Sequence, residues 1–289
     1  MCCRLLPPPS IKRDVETEIL GGQLCMRQMV PDRLKPLLKP LVAPILKRLR
    51  NSKPDLSIDV SSFDGFNNPA MRRVATTRFY RQRDHQLIGG WLSVKERQVL
   101  YALARWLPGP IIEIGSWIGL STVAIAQGIR DSRQQKKFIA YDCGLTKDNF
   151  RMVDGGVGRF ASGDIEPLHV CSLETFNHDV LPILSLPGGQ LGKLQDNLRS
   201  FGVSDLVEVI VEDFKKVIPP KASLVFCDTL HKDHEIEVNA PHLSKFLHKG
   251  SILACHDIGR HRDQVNTLRS IVGGGYSTIV DSLFIVEMK

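Results

Sequence analysis

The stretch Ile111-Ile112-Glu113-Ile114-Gly115-Ser116-Trp117-Ile118-Gly119-Leu120-Ser121-Thr122 constrains the chain more than any other. It opens as an apolar run of the kind a buried strand needs, passes two glycines, and continues into a helical run, Thr122-Val123-Ala124-Ile125-Ala126. A strand, a glycine turn and a helix in that order present a helix N-terminus to a nucleotide-like ligand in doubly wound α/β proteins. Dinucleotide folds use Gly-x-Gly-x-x-Gly and set a pyrophosphate on the helix dipole. Here the spacing is Glu-x-Gly-x-x-x-Gly, Trp117 replaces the middle glycine, and an acid ends the strand. That carboxylate repels a pyrophosphate and suits a ligand with a cationic amino group.

The rest of the body repeats the same alternation. Ser93 with Glu96 three residues on reads as a capping box opening a helix over 94–106, which Pro108-Gly109-Pro110 stops. Strands are expected at 111–115, 137–142, 206–211, 223–228 and 251–257, with helices at 120–130, 190–201, 234–247 and 261–272. A helix or turn is expected at 214–218. Two closing strands, near 276–280 and 282–288, are joined too tightly for a crossover and so should be antiparallel. This describes an α/β fold: a Rossmann-like, mostly parallel seven-stranded sheet, covered on both faces, with a C-terminal antiparallel hairpin. Residues 143–189 form a long connection with seven glycines. A structureless loop of that length is rare in a compact domain, so a local helix near 173–181, stopping at Pro182, and a place over the active site are expected.

Three segments follow: 1–60, a basic Pro/Leu-rich N-terminal extension; 61–110, a helical lead-in; and 111–289, the core with its 143–189 insertion. Residues 1–53 hold eleven Lys/Arg against four Asp/Glu, which is the whole of the net charge of +7. The body is neutral, which argues against a nucleic-acid-binding surface there. The leader's apolar residues between Leu34 and Leu49 have helical spacing broken by Pro36, Pro40 and Pro44. It reads as partly ordered, or as a basic amphipathic segment for an anionic membrane surface or a protein partner. Cys2-Cys3 could carry a lipid. Arg72, Arg73, Arg78, Arg81 and Arg83 form a basic cluster, either a solvated face or a grip for an anionic substrate group. No signal peptide is evident and no apolar run is long enough to span a bilayer. Seven cysteines, odd in number and without Cys-x-x-Cys, suit reduced thiols in the cytoplasm.

In such a sheet, ligands bind beyond the carboxyl ends of the strands. Four strands end there in Glu113, Asp142, Asp228 and His256-Asp257, and Asp213 follows the remaining parallel strand. With the acid in the first turn, this edge points to S-adenosylmethionine, which carries an adenosine, an ammonium and a sulfonium, and no phosphate. The strands ending in Asp228 and in His256-Asp257 should be neighbours, about 4.8 Å apart, so their side chains could meet on one ion.

Glu113-Ile-Gly115-Ser-Trp-Ile-Gly119-Leu-Ser121 resembles the first motif of class I S-adenosylmethionine-dependent methyltransferases, in the form of the catechol-type and macrocin-type (sugar) O-methyltransferases. Asn197 to Val207 with Glu212-Asp213-Phe214, then Phe226-Cys-Asp228-Thr-Leu-His231, then Gly250 to Ile258, are similar to later segments. The resemblance covers roughly residues 90–289. It implies that Gly115 and Gly119 admit the methionine and ribose parts, with Ser116 and Ser121 in the same turn. Glu113 would order the turn and attract the ammonium group. Asp142 would accept both ribose hydroxyls. Asp213 would accept from the adenine amino group, with Phe214 beside the ring. A divalent metal such as Mg²⁺ or Mn²⁺ would sit on Asp228, His256 and Asp257, with His231 as the base; His234 could take the same role. The family usually has an acid where His256 stands. An imidazole there favours Mn²⁺, Fe²⁺ or Zn²⁺ over Mg²⁺, or else places His256 behind the ligands or against the acceptor.

The expected activity is therefore methyl transfer to a hydroxyl of a small-molecule acceptor, with His231 and Asp228 carrying the chemistry. The alternative is a degenerate methyltransferase fold acting as a binding or scaffold protein. A dehydrogenase is disfavoured by Trp117. A nucleic-acid methyltransferase is disfavoured by the neutral body and by the lack of an Asn-Pro-Pro-aromatic tetrapeptide. A homo-oligomer is compatible with the chain.

Overall fold

The computed structural model describes residues 57–79, 85, 87–160 and 166–289. The expectations for residues 1–56, with Cys2 and Cys3, and for Arg81 and Arg83 lie outside the described residues. The lead-in contains α1 (Ala70–Thr76) and α2 (Val94–Trp106). Ser93 and Glu96 form the expected capping box: the Ser93 Oγ accepts the Glu96 N–H at 3.2 Å, and Glu96 Oε2 accepts the Ser93 N–H at 2.7 Å. Phe63, Met71, Val74 and Leu103 join the same apolar core as the sheet, so the lead-in is part of the domain's packing.

The core then runs β1 (Ile111–Ile114), α3 (Leu120–Ser132), β2 (Phe138–Asp142), the insertion, α6 (Gly189–Ser200), β6 (Glu208–Val211), β7 (Leu224–Cys227), α7 (Asp233–Leu243), β8 (Ile252–Cys255), α8 (Arg262–Val272), β9 (Ser277–Val280) and β10 (Leu283–Glu287). The large sheet has the order β6-β2-β1-β7-β8-β10-β9. The first five of these strands are parallel; β10 is antiparallel to both β8 and β9. Alternate side chains feed two cores. Ile111, Leu224 and Phe226 face one, shared with α2, α3 and α6; Ile112, Val225 and Cys227 face the other, shared with α7 and α8. Burial on both faces explains why these strands read as unbroken apolar runs.

The chain leaves β1 towards β2 and β6, then returns to lay β7 on the other side of β1. That reversal opens a crevice at the carboxyl ends of β1 and β7. The β1–β7 register, Ile114 opposite Cys227, sets Gly115 beside Asp228. A Cβ on Gly115, at φ +84°, would lie 2.8 Å from the Asp228 carbonyl oxygen. Gly119, at φ +95°, is the N-cap of α3, and a Cβ there would meet Leu194 of α6 at 2.8 Å. Both glycines are therefore demanded by the turn and by what lies across from it.

The insertion differs from expectation. It is a three-stranded antiparallel sheet, β3 (Phe150–Val153), β4 (Gly156–Arg159) and β5 (His169–Cys171). The strands are too short for an alternating pattern to stand out. The missed signal is Asp154-Gly155, a two-residue hairpin turn with Val153 paired to Gly156. The helix at 173–181 also departs from its expected form. It is α4 (Leu173–Thr175), a π turn (Phe176–Val180) and α5 (Leu181–Leu184), which runs through Pro182. Proline is tolerated there because it falls in the first turn after the π bulge, where its missing N–H has no helical partner to lose. The helix expected over 234–247 ends at Leu243, shortly after Pro241. Among the described residues, no helix is long and apolar enough to cross a membrane, and Cys143, Cys171, Cys227 and Cys255 are free thiols.

Gly115→Ala should destabilise the fold by about 1–3 kcal/mol, the cost of a side chain in a sparsely populated backbone region. Thermal unfolding should report it as a fall of roughly 2–4 °C per kcal/mol for a domain of this size. An unchanged melting temperature would refute the close approach of β1 and β7.

Candidate active site

The turn after β1 is held from the neighbouring strand. Asp142, at the end of β2, accepts the Ser116 and Trp117 backbone N–H groups on Oδ2 at 2.8 and 3.1 Å. Its Oδ1 accepts the Gly144 N–H at 2.8 Å. Burial pulls the Asp142 carboxyl above its ordinary value, and these three donors oppose that rise. Gln190 and Asn197 of α6 complete the turn, donating to the Trp117 and Ile118 carbonyls at 2.5 and 2.7 Å. Trp117 itself sits at φ +47°, unusual for a bulky residue.

Glu113 orders the turn from behind, as expected. It is fully buried, accepts from the Ser121 hydroxyl, and lies 3.4 Å from Ser116 Oγ. Burial raises its pKa to about 8, against the lowering effect of the Ser121 and Thr122 hydroxyls. At neutral pH it is a protonated strut behind the turn, and no ionised partner for an ammonium group. It does not line the cavity, and neither does Gly119.

That cavity, of about 440 Å³, lies over the crevice. Gly115, Ser116, Ser121 and Asp142 line it on one side, Asp213 and Phe214 at one end, and Asp228, His231, His256 and Asp257 at the other. Asp213 Oδ1 accepts the Lys215 N–H at 2.9 Å. Phe214 is buried against Phe246, ring centroids 6.1 Å apart.

At the ends of β7 and β8 lies a series of charges. Asp228 Oδ1 is 3.1 Å from His256 Nδ1 and 3.6 Å from His231 Nε2. Asp257, at φ +64°, brings Oδ2 to 3.5 Å from His256 Nδ1. His256, 2% exposed, has its Nε2 3.5 Å from Glu96 Oε2. Burial opposes ionisation throughout, but the partners win. The close approach of His231 and His256 holds the Asp228 carboxyl well below the carboxylate range. Asp228 and Glu235 beside it raise His231 to about 10, and Asp228 and Glu96 beside it raise His256 to about 10. His256 and Ser282 bring Glu96 down to about 2. Asp228 and Glu235 thus favour the protonated form of His231, whereas a free imidazole has a pKa near 6.5.

The set whose donor atoms all lie within 4.8 Å of one another is Asp228, His231 and Asp257. His256 stands behind Asp228, between it and Glu96. The residues that sequence missed act from behind: Glu96, read only as a capping acid, and Glu235 with Arg159 around His231. Glu96 had a local role that accounted for it fully, so nothing in its pattern advertised a second one. Of the basic cluster, Arg73 lies over the Trp106 ring at 5.1 Å, opposite Arg105 at the same distance, and none of the described arginines in 72–78 lines the cavity.

A parallel sheet reversed at β1/β7, with an acid-tethered glycine turn and acidic strand ends, is the fold of class I S-adenosylmethionine-dependent methyltransferases. Residues 112–258 match the methyltransferase domain family, and the chain belongs to it. A search of curated proteins finds no match. Among solved structures, a cofactor-bound protein from MTB is similar at 16% identity and a TM-score of 0.44, over 82% of this chain and 99% of that one. An O-methyltransferase from Bacillus cereus in complex with SAH is 12% identical, with a TM-score of 0.44 over 74% of this chain and 92% of that one. A SAM-dependent O-methyltransferase from Thermotoga maritima is 11% identical, with a TM-score of 0.42 over 72% and 70%.

Two outcomes follow from the buried acids. Glu113 has a folded pKa of about 8, above its ordinary 4.5. The folded state therefore holds a proton that the unfolded state releases, and stability falls as pH rises between these values, by up to about 1.4 kcal/mol per pH unit. Glu113→Gln should flatten that fall when melting temperature is followed from pH 5 to 9; parallel curves would refute it. Glu96→Ala leaves His256 with an uncompensated side and should cost about 3–5 kcal/mol, read by chemical denaturation.

Proposed function

We propose that this protein transfers a methyl group from S-adenosylmethionine to a hydroxyl of a small molecule. The observation that carries the reading is the cavity. It joins the Asp142-held turn to the Asp228, His231 and Asp257 cluster, so cofactor and acceptor can occupy one continuous cleft. In the reaction the acceptor oxygen attacks the sulfonium methyl in line. The carbon–sulfur bond breaks, S-adenosylhomocysteine leaves, and the hydroxyl proton must go elsewhere.

The chain's residues divide that work. The Gly115–Trp117 turn and Asp142 hold the cofactor, with Asp213 and Phe214 at the adenine end. The apolar walls, Phe150 and Leu168 among them, exclude water and align the acceptor. Asp228 and Asp257 offer oxygen donors and His231 one nitrogen donor, a mixed set that fits Mn²⁺, Fe²⁺ or Zn²⁺ better than Mg²⁺. A divalent ion bound there would acidify a hydroxyl and compete with a proton for His231. His231 Nδ1 is held by Glu235, so Nε2 can either accept the hydroxyl proton or bind the ion; with an ion on Nε2 the proton leaves to solvent. His256 keeps the Asp228 carboxylate ionised and oriented.

Isothermal titration of the full-length protein with S-adenosylhomocysteine should show one binding site, and absence of binding would remove the proposal. Asp142→Ala frees two turn N–H groups, of Ser116 and Trp117, and that of Gly144, and should weaken that binding by about tenfold or more, since each tenfold is about 1.4 kcal/mol. Asp228→Asn should leave it nearly unchanged while abolishing transfer to any hydroxyl acceptor that the wild type methylates.

A further inference from the structure

The insertion sheet reaches the reacting histidine through a cross-strand pair. Arg159 and His169 lie directly opposite each other on β4 and β5, so their side chains share one face of that sheet. The Arg159 guanidinium donates to Glu235 Oε1 at 2.6 Å. Glu235 Oε2 accepts the His231 backbone N–H at 2.8 Å and lies 3.1 Å from His231 Nδ1. The His169 ring packs against the His231 ring, centroids 5.7 Å apart.

Glu235 is 1% exposed, and a carboxylate that deep requires opposing charge. Arg159 supplies it from the insertion and His231 from the site. With Nδ1 engaged by Glu235, the ring is turned so that Nε2 faces Asp228 at 3.6 Å. Rotation about the ring's side-chain bonds would break the Glu235 contact and lose the His169 packing. A reacting imidazole whose far nitrogen is held by a carboxylate is fixed in orientation, and an ordered partner behind a site group commonly matters about 10–100-fold for what the group binds.

We propose that Glu235, Arg159 and His169 are positioning residues for His231, so that the sheet walling the acceptor space also sets the histidine that faces it. The inference rests on the reading of His231 as a reacting group. Its consequence is that an acceptor pressing on β4 and β5 would move the ring, and a change in the insertion that alters acceptor choice would alter the chemistry as well.

The test uses full-length protein labelled with ¹⁵N-histidine and saturated with S-adenosylhomocysteine. Long-range ¹H–¹⁵N spectra resolve both ring nitrogens, and His231→Gln assigns the His231 signals. Arg159→Met should shift or broaden the His231 ring signals. Arg159→Lys, which keeps a cation opposite Glu235, should restore them towards the wild-type positions. Glu235→Gln should shift the Nδ1 signal more than the Nε2 signal. Affinity for S-adenosylhomocysteine should stay within about twofold in each variant, as for a change with no shared partner at the cofactor turn. His231 signals unmoved in Arg159→Met would overturn the inference while leaving the methyltransferase reading standing. Loss of cofactor binding in both Arg159 variants would also overturn it, in favour of an ion pair that merely holds the domain together. Failure of the wild type to bind S-adenosylhomocysteine would instead sink the functional reading on which it rests.

Discussion

The Asp142 carboxylate is the constraint around which the rest of the molecule is arranged. It ends β2 and accepts two backbone N–H groups of the turn after β1 and one, that of Gly144, of its own loop. Those donors belong to irregular backbone, where no regular partner exists for them. Without an acceptor from β2 they would be buried and unpaired, a cost of about 1–3 kcal/mol for each. The turn therefore exists in this form because β2 lies beside β1 and ends in an acid. Glu113 supports the same turn from below, protonated, through the Ser116 and Ser121 hydroxyls.

The second organising principle is alternation of charge. Glu96, His256, Asp228, His231, Glu235 and Arg159 follow one another with opposite signs, from α2 of the lead-in through the strand ends to the insertion. Removing a buried charge's partner is expensive, whereas a series in which each member faces two opposite neighbours spreads that cost. The series also explains why the lead-in and the insertion are bound to the core by more than apolar contact. Each contributes an end of the chain of ion pairs that fixes the histidines. Asp257, in a left-handed backbone conformation, is the one acid of the cluster that stands to the side of this series, against His256.

Much of the fold was legible because parallel strands buried on both faces leave continuous apolar runs, and each run here closes in a polar residue. The capping box at Ser93, the glycine turn and the closing hairpin were legible for similar local reasons. The insertion was not. Its strands are three or four residues long, and its helix changes from α to π and back around Pro182. Local periodicity carries no such information, although Asp154-Gly155 announced a hairpin. The site was legible as a set of strand-end acids but not as a network. Glu113 looked like an ionised carboxylate and is buried and protonated. His231 looked like a free base, but Asp228 and Glu235 favour its protonated form.

The sequence by itself determined the sheet, the direction of its strands, the edge at which a ligand must lie and the kind of turn that meets it. Those follow from period, apolar content and the backbone demands of Gly115 and Gly119. Only the tertiary structure decided which acids are buried and how His231 and His256 meet Asp228 and Asp257. Protonation and pairing depend on groups brought together from positions as far apart as Glu96, Arg159 and His256. Their separation along the chain carries no signal, and burial, which sets the strength of each interaction, exists only once the layers have closed.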